Sequence, residues 1–149
     1  MMQNPTFTQD QSQQIIHLFW RMEINGWWHR LWAWVTHRTS HLLELDETLG
    51  RTRVENSHYA GLHSVNINRI RGTEGKSDAF DAAFYPTKET TRSRWLSVAR
   101  EKILGHDLPP VELLDVDGTY YVRDGHHRIS VAHALGFQFI DAQVTVLEV

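Results

Sequence analysis

The stretch "YYVRDGHHRISVAHALG", Tyr120 to Gly136, decides how this sequence is read. A β-prone run stops at Asp124-Gly125, and Ile129, Ala132 and Leu135 then recur at helical spacing. The pattern predicts a helix from about His126 to Leu135, with Gly136 as its C-terminal cap. A strand that turns into a helix leaves the first backbone N–H groups unpaired, and those groups and the helix dipole favour an anion. Gly125 lets a ligand approach the backbone without a Cβ in the way. His126, His127 and Arg128 add three cation-capable side chains within the same turn. Arg128 can grip phosphate oxygens in a fork, and on this reading its side chain points into an open cleft. The alternative makes Asp124 a helix cap and leaves Arg123 and Arg128 as solvated surface charges.

Upstream, "PPVELLDVDGTYYVRDG" reads as two short strands around Asp117-Gly118, a hairpin signal. Downstream, Ile140, Ala142, Val144 and Val146 alternate, as in a half-buried strand. Earlier in the chain, a zone beginning at His58 contains "HSVNINRI", a short strand ending near Ile70. The loop "RGTEGKSD" follows, and then Phe80, Phe84 and Tyr85 before Pro86. From about Lys88, the spacing of Trp95, Leu96, Ala99 and Ile103 predicts a helix that ends at Gly105. Arg92, Arg94 and Arg100 decorate it. A solvated face is the ordinary reading, and one arginine reaching a ligand phosphate is the other.

The first zone has a different texture. From Thr8 to Val35 there is no proline and one glycine, and Ile16, Trp20, Trp27, Leu31 and Trp34 follow helical steps. Ile15, Phe19 and Met22 widen this stripe. Trp20, Trp27, Trp28, Trp32 and Trp34 form an aromatic band that would pack on the sheet or on a second subunit. The rival is an interfacial membrane helix, which Arg21, His29, Arg30 and Arg38 would suit. "HRTSHLLELDET" gives a short leucine-rich turn or helix, and "GRTRVENSHYAG" reads as a connector. The expected organisation is a helical Trp-rich N-terminal arm and connector over residues 1–57 and an α+β domain over 58–149.

Composition limits the function classes. The 149 residues are 41% hydrophobic and 22% charged, ordinary for a globular protein. A net charge of -3 supplies no basic field for nucleic acid or anionic lipid. The absence of cysteine removes disulfides and all thiol chemistry. The N-terminus is unlike a secretory signal and no apolar run suits a transmembrane segment, so a cytoplasmic protein is expected. His126 and His133 lie two helical turns apart, too far for one ion, and no protein-only metal site is expected.

The turn and its flanking strands, "LPPVELLDVDG" before and "FIDAQVTV" after, resemble the ParB/sulfiredoxin-like superfamily. More narrowly they resemble bacterial ParB-like nuclease-domain proteins, over roughly His58 to Val149. The resemblance implies a small mixed sheet with packed helices and a nucleotide held at Gly125, His126, His127 and Arg128. The partition proteins of the superfamily have glycine, glutamate, arginine, arginine there, so Gly125 and Arg128 alone are retained. Sulfiredoxins carry their catalytic cysteine where this chain has His126, which excludes sulfinic-acid reduction. Free-serine kinases of this fold use a glutamate after the first strand, which Glu74 would match.

The expected ligand is thus a nucleotide or other phosphorylated small molecule, a nucleoside triphosphate with Mg2+ foremost. Asp124, Gly125, His126, His127 and Arg128 would bind it. Glu74 and His126 are the candidate catalytic residues of a hydrolase or small-molecule kinase. A non-catalytic nucleotide-gated oligomerisation module is the alternative. A metal-dependent nuclease or non-specific DNA-associated protein is the third reading. No helix-turn-helix is visible, so sequence-specific DNA binding is not expected, whereas homo-oligomerisation through the arm is.

Overall fold

The computed structural model describes residues 9–10, 12–22, 41–75 and 78–149. These residues form a mixed α+β fold around a six-stranded sheet. Its strands are β1 (Leu43–Glu44), β2 (Asn56–Asn66), β3 (Ile70–Thr73), β4 (Val111–Val116), β5 (Thr119–Asp124) and β6 (Phe139–Glu148), in the order β1-β3-β5-β4-β6-β2. The helices are α1 (12–22), α2 (Leu45–Leu49), α3 (Arg92–Ile103) and α4 (His126–Ala134). β1, β3 and β5 run parallel, β4 and β6 are parallel to each other, and β4–β5 and β6–β2 are antiparallel pairs.

The β4–β5 hairpin turns where the sequence places it. Asp117 and Gly118 both have positive φ (50° and 82°), the combination that matches the right-handed twist of paired strands. Gly118 N–H donates to the Asp115 carboxylate at 2.7 Å, and Arg69 donates to Gly118 O at 2.8 Å. Alternation along β4 then divides the interior in two. Val111 and Leu113 enter the main core with Phe19, Trp95, Ile129, Val122 and Val144. Leu114 and Val116 enter a smaller cluster with Tyr121 and Leu45 of α2. Tyr121 lies across Gly72, where a Cβ would meet its ring at 2.6 Å.

Three expectations are revised. The strand expected from His58 begins at Asn56, inside the segment read as a connector, because β2 is an edge strand exposed along most of its length and shows no apolar alternation. It ends at Asn66, and a 3-10 turn over Ile67–Arg69 separates it from β3. The inward face of α1 is Ile15, Phe19 and Met22, while Trp20 is 47% exposed, so the stripe is rotated from the Ile16–Trp20 line. Phe19 meets Trp95 edge to face with ring centroids 5.6 Å apart, which places α1 in the core of the sheet domain. Trp27, Trp28, Leu31, Trp32 and Trp34 lie outside the described residues. No helix among the described residues is long and apolar enough to cross a membrane.

Trp95 is fully buried and donates its indole N–H to Ser130 Oγ of α4 at 2.9 Å. That bond pins the two helices at a fixed depth. Ser130→Ala is expected to lower stability by about 1–3 kcal/mol, the cost of a buried donor left unpaired. Urea unfolding of the two proteins reads this directly. Equal midpoints would show that the indole finds another acceptor.

Candidate functional site

β5 delivers Asp124 to the end of the sheet, and Gly125 then takes φ 108°, a left-handed conformation that side-chain-bearing residues rarely adopt. A Cβ at Gly125 would lie 2.5 Å from Val111 Cγ1, so close packing against β4 also requires glycine there. Gly125 is the residue before α4, and no side chain caps the helix. Asp124 is therefore not the helix cap that one reading assigned. Its carboxylate accepts instead from Arg128 Nη2 at 2.8 Å.

Arg128 forms part of the wall. Nη1 donates to Pro109 O at 2.6 Å and Pro110 O at 2.7 Å, which ties the segment before β4 to the first turn of α4. Arg128 thus lines the cleft, as expected, but its guanidinium is tied down by the protein itself. Its remaining N–H groups, on Nε and Nη2, are what it can offer a ligand.

The cleft beside this turn encloses about 460 Å³ and is lined by Phe80, Arg94, Leu108, Pro109 and residues 124–128. Asp124, Gly125, His126, His127 and Arg128 all lie on one wall of it. Arg94 reaches the cleft from α3, as one reading of "RSRWLSVAR" allowed. Glu74 is not among the lining residues. It forms a two-point ion pair with Arg123, Oε2 to Nε at 2.9 Å and Oε1 to Nη2 at 3.0 Å. The Glu74 hydrogen bond raises the Arg123 pKa further. Both partners are well exposed, where such pairs contribute about 0–1 kcal/mol.

The histidines are held by aromatic contact and burial. The His126 ring lies nearly parallel to Phe80, and His127 meets Phe80 edge-on at 5.1 Å. His126 Nε2 is 2.9 Å from the hydroxyl of buried Thr73, the residue before Glu74. Phe80 and Thr73 are the contacts that the sequence alone did not bring to this site. "AFDAAFYP" has no helical or strand period, and its shape is set by Asp81, whose carboxylate accepts from the N–H groups of Ala83 and Tyr85 at 3.0 Å each. Further along α4, His133 stacks on Phe84.

Burial pushes the pKa of His126 and His133 below the ordinary imidazole value of 6.5, with Asp124 partly offsetting it at His126. His127 is lowered to about 4 by burial, then by the neighbouring Arg94 and His126 charges. His127 Nε2 is buried without a hydrogen-bond partner among the described residues.

An imidazole kept neutral by the fold takes a proton more readily once unfolded. Its stabilising contribution is therefore complete above about 6.5 and is lost as pH falls towards about 4. Wild type should lose more stability between pH 7.5 and 5 than His127→Gln, as urea midpoints at the two pH values would report. Equal losses would show that His127 does not share in the acid sensitivity.

No family model matches the chain, nor does any curated protein. Among solved structures, sulfiredoxin from Arabidopsis thaliana is similar to it, with 18% identity over 56% of this chain and 82% of that one, at a TM-score of 0.37. At that identity and score, the likeness says nothing about activity.

Proposed function

We propose that the cleft binds a phosphorylated small molecule, a nucleoside triphosphate being the class that fits best. One observation carries this reading: the uncapped N-terminus of α4 opens, with Arg94 and His127, onto a cavity of about 460 Å³. Unpaired first-turn N–H groups and a guanidinium converge there on what an anion would occupy. Phe80, Val98 and Leu108 supply apolar surface for the rest of such a ligand. Asp124 is the one carboxylate among the described lining residues, and it is engaged by Arg128. Mg2+ would then be held chiefly by the phosphates and water, with few protein ligands.

Binding is better supported than chemistry. Glu74, the candidate base, is committed to Arg123 outside the lining of the cleft. A proton-transfer role would fall to His126, whose lowered pKa leaves it neutral and whose Nε2 faces Thr73. A nuclease reading has less support, since no group of three or more His, Asp or Glu among the described residues is placed to hold a metal.

Titration of the protein with ATP and CTP, with and without Mg2+, tests the proposal. Arg94→Ala is expected to weaken binding by about 1.5–3 kcal/mol, the scale of a hydrogen bond to a charged group. Product analysis on the same samples separates binding from hydrolysis or transfer. Unchanged affinity in Arg94→Ala, or no binding of either nucleotide by wild type, would remove this reading.

A further inference from the structure

β2 sits at one end of the sheet and pairs with β6 on its inner side. Among the described residues, no strand or bridge pairs with its outer side. An open edge presents a row of backbone N–H and C=O groups to any other strand. Folded proteins usually blunt such edges with lysine, proline, inward charge, a bulge or very short length. β2 has eleven residues, "NSHYAGLHSVN", with no Lys, Arg, Asp, Glu or Pro among them. Its one irregularity is a bulge between Tyr59 and Gly61. The bulge changes the alternation: Tyr59 stands opposite Thr145 and Leu62 opposite Gln143, so both side chains lie on one face of the sheet. They are 64% and 61% exposed, high values for large apolar residues.

We infer that β2 pairs antiparallel with β2 of a second copy of this chain, about a two-fold axis between Ala60 and Gly61. The axis follows from the placement of the two exposed residues. It sets Tyr59 opposite the partner's Leu62 and Leu62 opposite the partner's Tyr59, two aromatic–aliphatic cross-strand pairs on one face. Centring the axis on Gly61 would instead face Tyr59 with histidine and leave each leucine opposite alanine. The strand is thus its own complement, which selects an identical chain over an unrelated peptide. No formal charge along the edge opposes the approach. The two sheets become one across the axis.

Light scattering on the full chain over a micromolar concentration series gives the first test. Wild type should show twice the chain mass, and Tyr59→Lys and Leu62→Lys should each show the mass of one chain. Both sites are exposed, so circular dichroism should be unchanged in either variant. The chain has no cysteine, so introduced thiols report register without interference. An oxidised equimolar mixture of Tyr59→Cys and Leu62→Cys should yield a disulfide-linked heterodimer. Either variant alone should not cross-link, because like positions would be about 10 Å apart at ~3.4 Å per residue, beyond the ~7 Å that a disulfide spans between Cα atoms. A monomeric wild type, a dimer indifferent to both lysines, or cross-linking of either variant alone would each overturn the inference.

Discussion

Gly125→Ala should cost the fold about 3–5 kcal/mol, the largest loss expected from a single methyl group at the site. Two effects combine. Alanine resists φ 108°, and its Cβ would be driven to 2.5 Å from a methyl of fully buried Val111. Val111→Ala removes the second effect and leaves the first. A double-mutant cycle should therefore return part of the loss, with a favourable coupling of about 1 kcal/mol or more. Chemical unfolding of the four proteins measures it. Strictly additive losses would mean that the backbone conformation alone demands glycine.

Arg128→Ala should cost about 2–4 kcal/mol of stability, because three charge-assisted hydrogen bonds vanish together. Arg128→Lys should recover only part of this, since one ammonium cannot reproduce a planar fork across two carbonyls and a carboxylate. Differential scanning calorimetry would rank the three proteins, and an Arg128→Ala melting temperature equal to wild type would refute the structural role. A loss of ligand affinity in this variant is consequently not interpretable as a lost phosphate contact. Arg94, which reaches the cleft from α3, is the cleaner probe of it.

That division between Arg128 and Arg94 also shows what was legible beforehand. The hairpin, α4 and β6 could be read because their signals are local: a turn dipeptide, a helical period and a strict alternation. Gly125 was legible as a glycine needed for close approach, although the structure shows Val111 as the group approached. The carbonyls of Pro109 and Pro110 were not legible as the partners of Arg128, because nothing in a sequence says that residues 18 and 19 positions away point at one guanidinium. β2 was missed in part for a similar reason. An edge strand with both faces wet has no hydrophobic period to find. The ten histidines could be counted, but the low pKa of His127 depends on burial and on Arg94, both set by tertiary packing.

The packing of Phe19 against Trp95 gives the N-terminal region a different thermodynamic character from that of a free tail. Met22 is buried in the main core at one end of residues 23–40, and Leu42 is buried in the same core at the other. Helix α1 therefore unfolds with the sheet domain, and its amide protons should exchange at that domain's rate rather than at the rate of a fraying tail. A cut that removes this helix withdraws Ile15, Phe19 and Met22 from the core at a stroke.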